Sequence, residues 1–461
     1  MNYGTKKNLF RIAAVGMFAL LGASPLAAGP NDITAIVGVN VIPMDINRVA
    51  KNQTVIVKGW QIEAIGPVAE ITVPTEAVRI EGQDRYLIPG LAEMHAHIPS
   101  SARGEEYRDR VLFLYVANGI TTVRGMLGEQ SHIRLRRQLY THLVLGPRLI
   151  TSGPSFNGKS VTSAEQAIRR VREQKVAGYD FVKLHPGLTR KEFDAIAATA
   201  DEVGLPFAGH VSAAVGLDRA LEVRQATIDH LDGYLQAIVR DDVDITDSST
   251  GFFGIGLTDV VDEAKIAAVA RATAAAGVWN VPTQTLIEHN VLPVDPDEIA
   301  AWPEMQYMPA NMVNEWVARK KRNLADPDYD PERAKRYVEI RRSLIKALHD
   351  AGAGLLLGSD APQVFNVPGF AAHRELAILV ESGLSPFQAL RAGIINPAVY
   401  FGRQQEFGTI EVGKMADFIL LNANPLDDIR NTQKIEAVMV RGKYLSRGDI
   451  DEGLAELRAT R

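Results

Sequence analysis

Leu87-Ile88-Pro89-Gly90-Leu91-Ala92-Glu93-Met94-His95-Ala96-His97 is a largely apolar run that ends in two histidines and opens into the polar Pro99-Ser100-Ser101. Such a run, bounded by turn residues, predicts a buried strand. In extended backbone alternate side chains share a face, so His95 and His97 aim two imidazoles at one point from three residues of chain. Alone, a His-x-His pair is explained as well by hydrogen-bonded core or surface histidines. Its weight comes from what stands further along.

Four more candidate ligands end predicted strands: Lys183 in Phe181 to His185, His210 after Pro206-Phe207-Ala208-Gly209, His230 after Thr227-Ile228-Asp229, and Asp360 after Leu355-Leu356-Leu357-Gly358-Ser359. Histidine nitrogen and carboxylate oxygen suit zinc and related divalent ions, and a catalytic site keeps one position open for water. The same strands set the fold class. Predicted strands at Leu87 to His97, Gly119 to Met126, Pro147 to Gly153, Phe181 to His185, Pro206 to Val211, Thr227 to Gly233, Trp279 to Thr285 and Gly354 to Ala361 alternate with helical patterns. Ser163 to Ala177, Arg190 to Val203, Leu217 to Arg224 and Ile266 to Ala276 carry apolar residues at three- and four-residue spacing. Eight strand–helix units predict an α/β protein, a (β/α)8 TIM-like barrel over residues 87–400, with chemistry at the carboxyl ends of the strands.

Both flanks are strand-rich and too small to fold well alone. Ile33 to Val41 and Thr54 to Ile65 precede the barrel; Ala416 to Leu421 and Ile435 to Lys443 follow it. The expectation is one small β-sandwich built from residues 29–86 and 401–461, with the barrel inserted between its halves. Residues 293–350 exceed a standard connection and, between the seventh and eighth strands, predict a lid or substrate-selecting element on the catalytic face; an oligomer contact is the plainer alternative. Homo-oligomerisation stays open.

Residues 1–28 carry Lys6, Lys7 and Arg11, then the apolar Ile12 to Ala23, then Ser24-Pro25-Leu26-Ala27-Ala28-Gly29, the pattern of a cleaved secretory signal. This implies a periplasmic or secreted protein with no stable membrane anchor after cleavage. The chain has no cysteine, which excludes disulfides, a lipidated N-terminal cysteine and thiolate metal sites. Removing three positive and no acidic residues takes the formal net charge from −5 to −8, and no basic block with interleaved aromatics appears, so nucleic acid is not an expected partner.

Pro89-Gly90-Leu91 before His95-x-His97, Gly358-Ser359-Asp360, and Gly408-Thr409-Ile410-Glu411-Val412-Gly413-Lys414-Met415-Ala416-Asp417 together resemble the amidohydrolase superfamily, nearest its imidazolonepropionase-like and prolidase-like members. The resemblance implies that His95, His97 and Asp360 bind one metal and His210 and His230 a second, two zinc ions or other divalent cations. It implies that Lys183 bridges them as a carbamate, since an ammonium offers only donors to a cation; a lysine paired with a barrel carboxylate is the alternative. Metal-activated water then attacks the substrate, with Asp360 as general acid/base. Tyr234 is a candidate oxyanion donor or an ordinary loop aromatic. Arg124 is a candidate partner for a substrate carboxylate or half of a structural salt bridge. His185 shares a strand face with Lys183 and is a candidate substrate contact; His373 reads as a partner behind the ligands, and His132, His142, His289 and His349 as packing or surface residues.

His210-Val211-Ser212-Ala213-Ala214 has no nearby carboxylate for ring deamination. This favours hydrolysis of the amide bond of small N-acyl amino acids or dipeptide-like substrates. A mononuclear cyclic-amide hydrolase of imidazolonepropionase type, and a lactonase or phosphotriesterase-like hydrolase, are the alternatives.

Overall fold

In the computed structural model the described residues are Gly29, 32–245 and 250–460, so the signal expected in residues 1–28 lies outside them. The strands in chain order are β1 (Ile33–Val41), β2 (Ala50–Lys58), β3 (Gln61–Pro67), β4 (Val78–Glu81), β5 (Tyr86–Pro89), β6 (Leu91–Ala96), β7 (Ile120–Gly125), β8 (Arg148–Thr151), β9 (Val182–Leu184), β10 (Phe207–Gly209), β11 (Thr227–Asp229), β12 (Trp279–Val281), β13 (Gly354–Leu355), β14 (Phe418–Leu421), β15 (Ile435–Val440) and β16 (Lys443–Ser446). No helix among the described residues is long and apolar enough to cross a membrane.

The fold is mixed α/β with parallel sheets. β6, β7 and β8 form one parallel sheet and β9 to β13 another. Isolated parallel bridges join their edges at both sides, Ser152 to Phe181 and Ala96 to Ala361. Helices fill the crossovers where the apolar spacing predicted them: Ala164–Ala177, Arg190–Val203, Leu217–Glu222 and Ile266–Ala276. The first is held at its start by the Ser163 side chain accepting from the Gln166 N–H, and stopped by left-handed Gly178.

The run predicted as one strand from Leu87 to His97 is two, and the break organises the molecule. β5 pairs with β1 and, antiparallel, with β14, whereas β6 belongs to the parallel sheet. Gly90 is the joint because its backbone packs on Thr121: a Cβ there would lie 2.2 Å from the Thr121 hydroxyl. Through the β5–β14 pairing, strands from both ends of the chain share one eight-stranded sheet. Ile36, Val39, Val55, Leu87, Phe418, Leu420 and Met439 pack together on it, each buried side chain contributing about 1.5–3 kcal/mol.

The long excursion after β12 is helical: Gln284–Val291, Pro296–Ala300, Ala310–Leu324 and Pro331–Asp350. Val313 and Trp316 pack with Leu286, Met305, Met308, Val364 and Phe365 into an apolar cluster of its own.

Candidate metal centre

β6, β11 and the segment after β13 deliver His95, His230 and Asp360 to one place, where one ligand atom from each lies within 4.8 Å of the others. Around the Asp360 carboxylate, His97 Nε2 stands 2.6 Å and His95 Nε2 3.4 Å from Oδ1, and His230 Nε2 3.9 Å from Oδ2. The imidazoles continue as a chain of ring centroids, His97 to His95 at 5.6 Å, His95 to His230 at 4.6 Å, His230 to His210 at 4.5 Å and His210 to His185 at 5.1 Å. His95, His230 and Asp360 are buried. His230, Thr283 and Asp360 all adopt positive φ (62°, 47° and 63°), a conformation disfavoured for residues with a side chain; such strain collects at functional sites.

Hydrogen bonds fix which nitrogen of the His230 and His210 rings is free. The Thr283 hydroxyl donates to the Pro282 carbonyl (2.8 Å), so its oxygen accepts from His230 Nδ1–H (2.7 Å) and His230 Nε2 is left with a lone pair. His210 Nδ1–H donates to Asp232 Oδ2 at 2.7 Å, leaving its Nε2 likewise. Burial holds His95 and His230 well below the usual imidazole range, with neighbouring cationic groups acting the same way, so both are neutral and able to ligate. His185 is lowered to about 3 by burial and then by Lys183. For Asp360, burial pushes the carboxyl up, but the neighbouring His95, His97 and Lys183 outweigh it and bring it to about 2.

These residues fit a cation. Despite its short approaches, Asp360 Oδ1 has no hydrogen-bond partner among the described residues. The Nε2 atoms of His95, His97 and His230 crowd around one buried carboxylate there, an arrangement that a cation among them would stabilise.

Lys183 lies on β9 with no exposed surface, its Nζ 3.7 Å from Asp229 Oδ2 and without a hydrogen bond among the described residues. Room for its stem is left by Gly209, where a Cβ would come within 2.9 Å of Lys183 Cδ. Burial lowers its pKa against the pull of Asp229 and Asp360.

The mouth is a cavity of about 480 Å³ lined by His95, His97, His185, His210, His230 and Asp360 with Phe252, Phe253, Leu286, Asn290 and Arg319 among its other walls. His185 lines the same cavity. Two expectations are corrected. Tyr234 is fully buried away from the cavity, its hydroxyl donating to Asn280 Oδ1 (2.8 Å) and 3.0 Å from Thr273 Oγ1, so it offers nothing to an oxyanion. Arg124, fully buried, is consumed by the Met94 carbonyl (2.6 Å), Thr227, Tyr400 and Asp229 (3.3 Å), which is the salt-bridge alternative and not a substrate contact. His373 also sits elsewhere, between Thr432 and the Asn118 carbonyl.

Sequence reading missed Glu93, Asp229 and Asp232. Asp229 and Asp232 flank His230 in the chain, the signal that was available. Asp229 Oδ2 lies 3.0 Å from His95 Nδ1, and Asp232 holds His210 from behind its ring.

The amidohydrolase family model matches residues 86–445. Ochratoxinase from Aspergillus niger is 36% identical over 90 residues, 19% of this chain and 18% of that protein, so the chain matches less than a fifth of this relative's length. Among solved structures, a bottromycin amidohydrolase superposes with TM-score 0.72 at 21% identity over 93% of this chain and 90% of the other. A Xaa-Pro dipeptidase with methionine bound in its active site gives 0.65 at 19% over 90% and 100%. Both likenesses establish a shared fold. With the family model spanning β5, both parallel sheets, β14, β15 and most of β16, the chain belongs to the amidohydrolase family.

Proposed function

We propose that this protein is an exported, metal-dependent hydrolase of amide C–N bonds in small N-acyl amino acids or dipeptide-like compounds. The observation that carries this reading is the convergence of His95, His97 and His230 Nε2 on Asp360. In it the two parallel sheets are one closed (β/α)8 barrel over 87–400, supported by the bridges at both sheet edges, and the flanks 29–86 and 401–461 are one sandwich-like unit. The leader pattern in residues 1–28 supports export.

His95, His97 and Asp360 would hold one divalent ion and His210 and His230 a second, zinc fitting this nitrogen and oxygen set. Lys183, as a carbamate, would supply an anionic oxygen ligand to them: its buried Nζ lacks a hydrogen bond among the described residues, and burial favours the neutral amine that adds to carbon dioxide. Bound there, divalent ions would lower the pKa of a water toward about 7 and polarise the scissile carbonyl.

Asp360 takes the proton released as the water oxygen bonds to the carbonyl carbon. It returns that proton to nitrogen as the C–N bond breaks, leaving a carboxylic acid and an amine. Asp232 and Thr283 keep His210 and His230 in the ligating tautomer throughout. Phe253, 5.1 Å from the His230 ring, and Phe252 give an apolar wall that excludes water and accepts an acyl group.

The test is hydrolysis of a panel of N-acyl amino acids, dipeptides including Xaa-Pro and basic C-terminal members, cyclic amides, lactones and phosphotriesters. The reading expects the acyclic amides to be cleaved at rates at least tenfold above the others. Turnover confined to lactones or phosphotriesters replaces it.

A further inference from the structure

Arg319 is the one Arg or Lys among the described residues lining the cavity. It projects from helix Ala310–Leu324, part of the excursion between β12 and β13, and no carboxylate, carbonyl or ring among the described residues engages its guanidinium. An exposed helical arginine is ordinarily just solvated. Two observations set this one apart.

The first is how rigidly it is presented. The adjoining Lys320 is buried and donates from Nζ to the carbonyls of His289 (2.6 Å) and Leu292 (2.8 Å), at the end of helix Gln284–Val291. Val313 and Trp316 bury the same stripe in the apolar cluster of the excursion. The helix carrying Arg319 is therefore pinned in position and rotation, and little ordering remains to be done when an anion arrives.

The second is an unpartnered acceptor in a residue that lines the same cavity. Asn290 is almost fully buried, lines the cavity, and is oriented by its Nδ2 donating to the Leu286 carbonyl at 2.9 Å. That bond fixes the amide's direction, because a carbonyl only accepts. Its Oδ1 is then left buried with no partner among the described residues, a state that costs about 1–3 kcal/mol unless a ligand supplies a donor. The two cavity-wall groups thus lack, respectively, an anion and an N–H or O–H.

We propose that Arg319 is the specificity-determining residue that binds the free carboxylate of the substrate, with Asn290 Oδ1 accepting from a neighbouring substrate N–H. A planar guanidinium meets a carboxylate through two parallel hydrogen bonds, which fixes orientation as well as charge. The inference rests on the amide-hydrolase reading and narrows its substrates to amides bearing a free carboxylate. Arg124, fully occupied beneath the site, leaves this task to Arg319.

The experiment compares N-acyl amino acids and dipeptides with their C-terminal carboxamides, as kcat/KM for the wild type, Arg319→Met and Arg319→Lys. The acid-to-carboxamide ratio is expected to fall at least tenfold in Arg319→Met, through KM for the acid, and to recover in part in Arg319→Lys. A ratio unchanged in Arg319→Met, with the wild type hydrolysing both, overturns the Arg319 assignment and leaves the amide-hydrolase reading standing. A wild type that hydrolyses neither overturns both.

Discussion

Glu93 ties the two halves of the candidate metal centre together through Ser359: its carboxylate accepts from the Ser359 N–H (2.8 Å) and the Ser359 hydroxyl (2.7 Å), and also from the His95 N–H (3.1 Å). Ser359 directly precedes Asp360, so one buried side chain sets the register between β6 and the segment carrying the carboxylate ligand. Burial raises Glu93 to about 7, with the hydrogen bonds from Ser359 and His95 working in the opposite direction. Glu93→Gln keeps the volume but turns an –NH2 toward donors. We expect metal affinity and turnover to fall about 10–100-fold, and stability by about 1–3 kcal/mol, measured by metal titration and thermal melts.

Asp232→Asn tests whether the His210 tautomer matters. Asparagine keeps an acceptor but permits the reverse pairing, in which His210 Nδ1 accepts and Nε2 carries the proton. Metal content and turnover are expected to fall about 10–100-fold with the melting temperature little changed. Equal activity in this variant removes His210 from the ligand set.

Tyr234→Phe separates a structural role from a catalytic one. The hydroxyl's partners, Asn280 and Thr273, lie inside the protein. The variant should lose about 1–2 kcal/mol of stability in denaturant melts, while kcat/KM stays within twofold of wild type. A hundredfold loss of kcat with unchanged stability reinstates the oxyanion role.

How much of this was legible beforehand follows from where the information lay. Strand-end ligands and helix spans are local: alternation, apolar spacing and capping are written within a dozen residues, and His95, His97, His210, His230 and Asp360 do gather. The errors are tertiary. Positive φ at His230 (62°), Leu231 (55°) and Gly233 (83°) turns the chain after β11, carrying Tyr234 into helix Tyr234–Ala237 behind the cavity. Arg124 was drawn at a strand end, yet its guanidinium is used up by Met94, Thr227 and Asp229 from other strands, partners that no local pattern reveals. The division at Gly90 follows from contact with Thr121 and is equally invisible along the chain.

His373 provides a pH prediction about stability. Fully buried between Thr432 and the Asn118 carbonyl, it is lowered to about 4, chiefly by burial, against an ordinary 6.5. The unfolded chain therefore binds the proton more tightly. Its contribution is fully present above pH 6.5 and is lost as pH falls toward 4, up to about 3 kcal/mol. Melts of the wild type between pH 7 and 4.5 should decline more steeply than those of His373→Gln. Parallel slopes would show that this ring does not set the acid limb.

The central claim, that imidazoles and one carboxylate hold a cation that activates water, is tested most directly by measuring turnover against divalent metal bound per chain. Chelated protein should remain folded and inactive, and activity should return in proportion to metal, saturating near two ions per chain. A metal-free chain that turns over acyclic amides at the full rate would contradict the account.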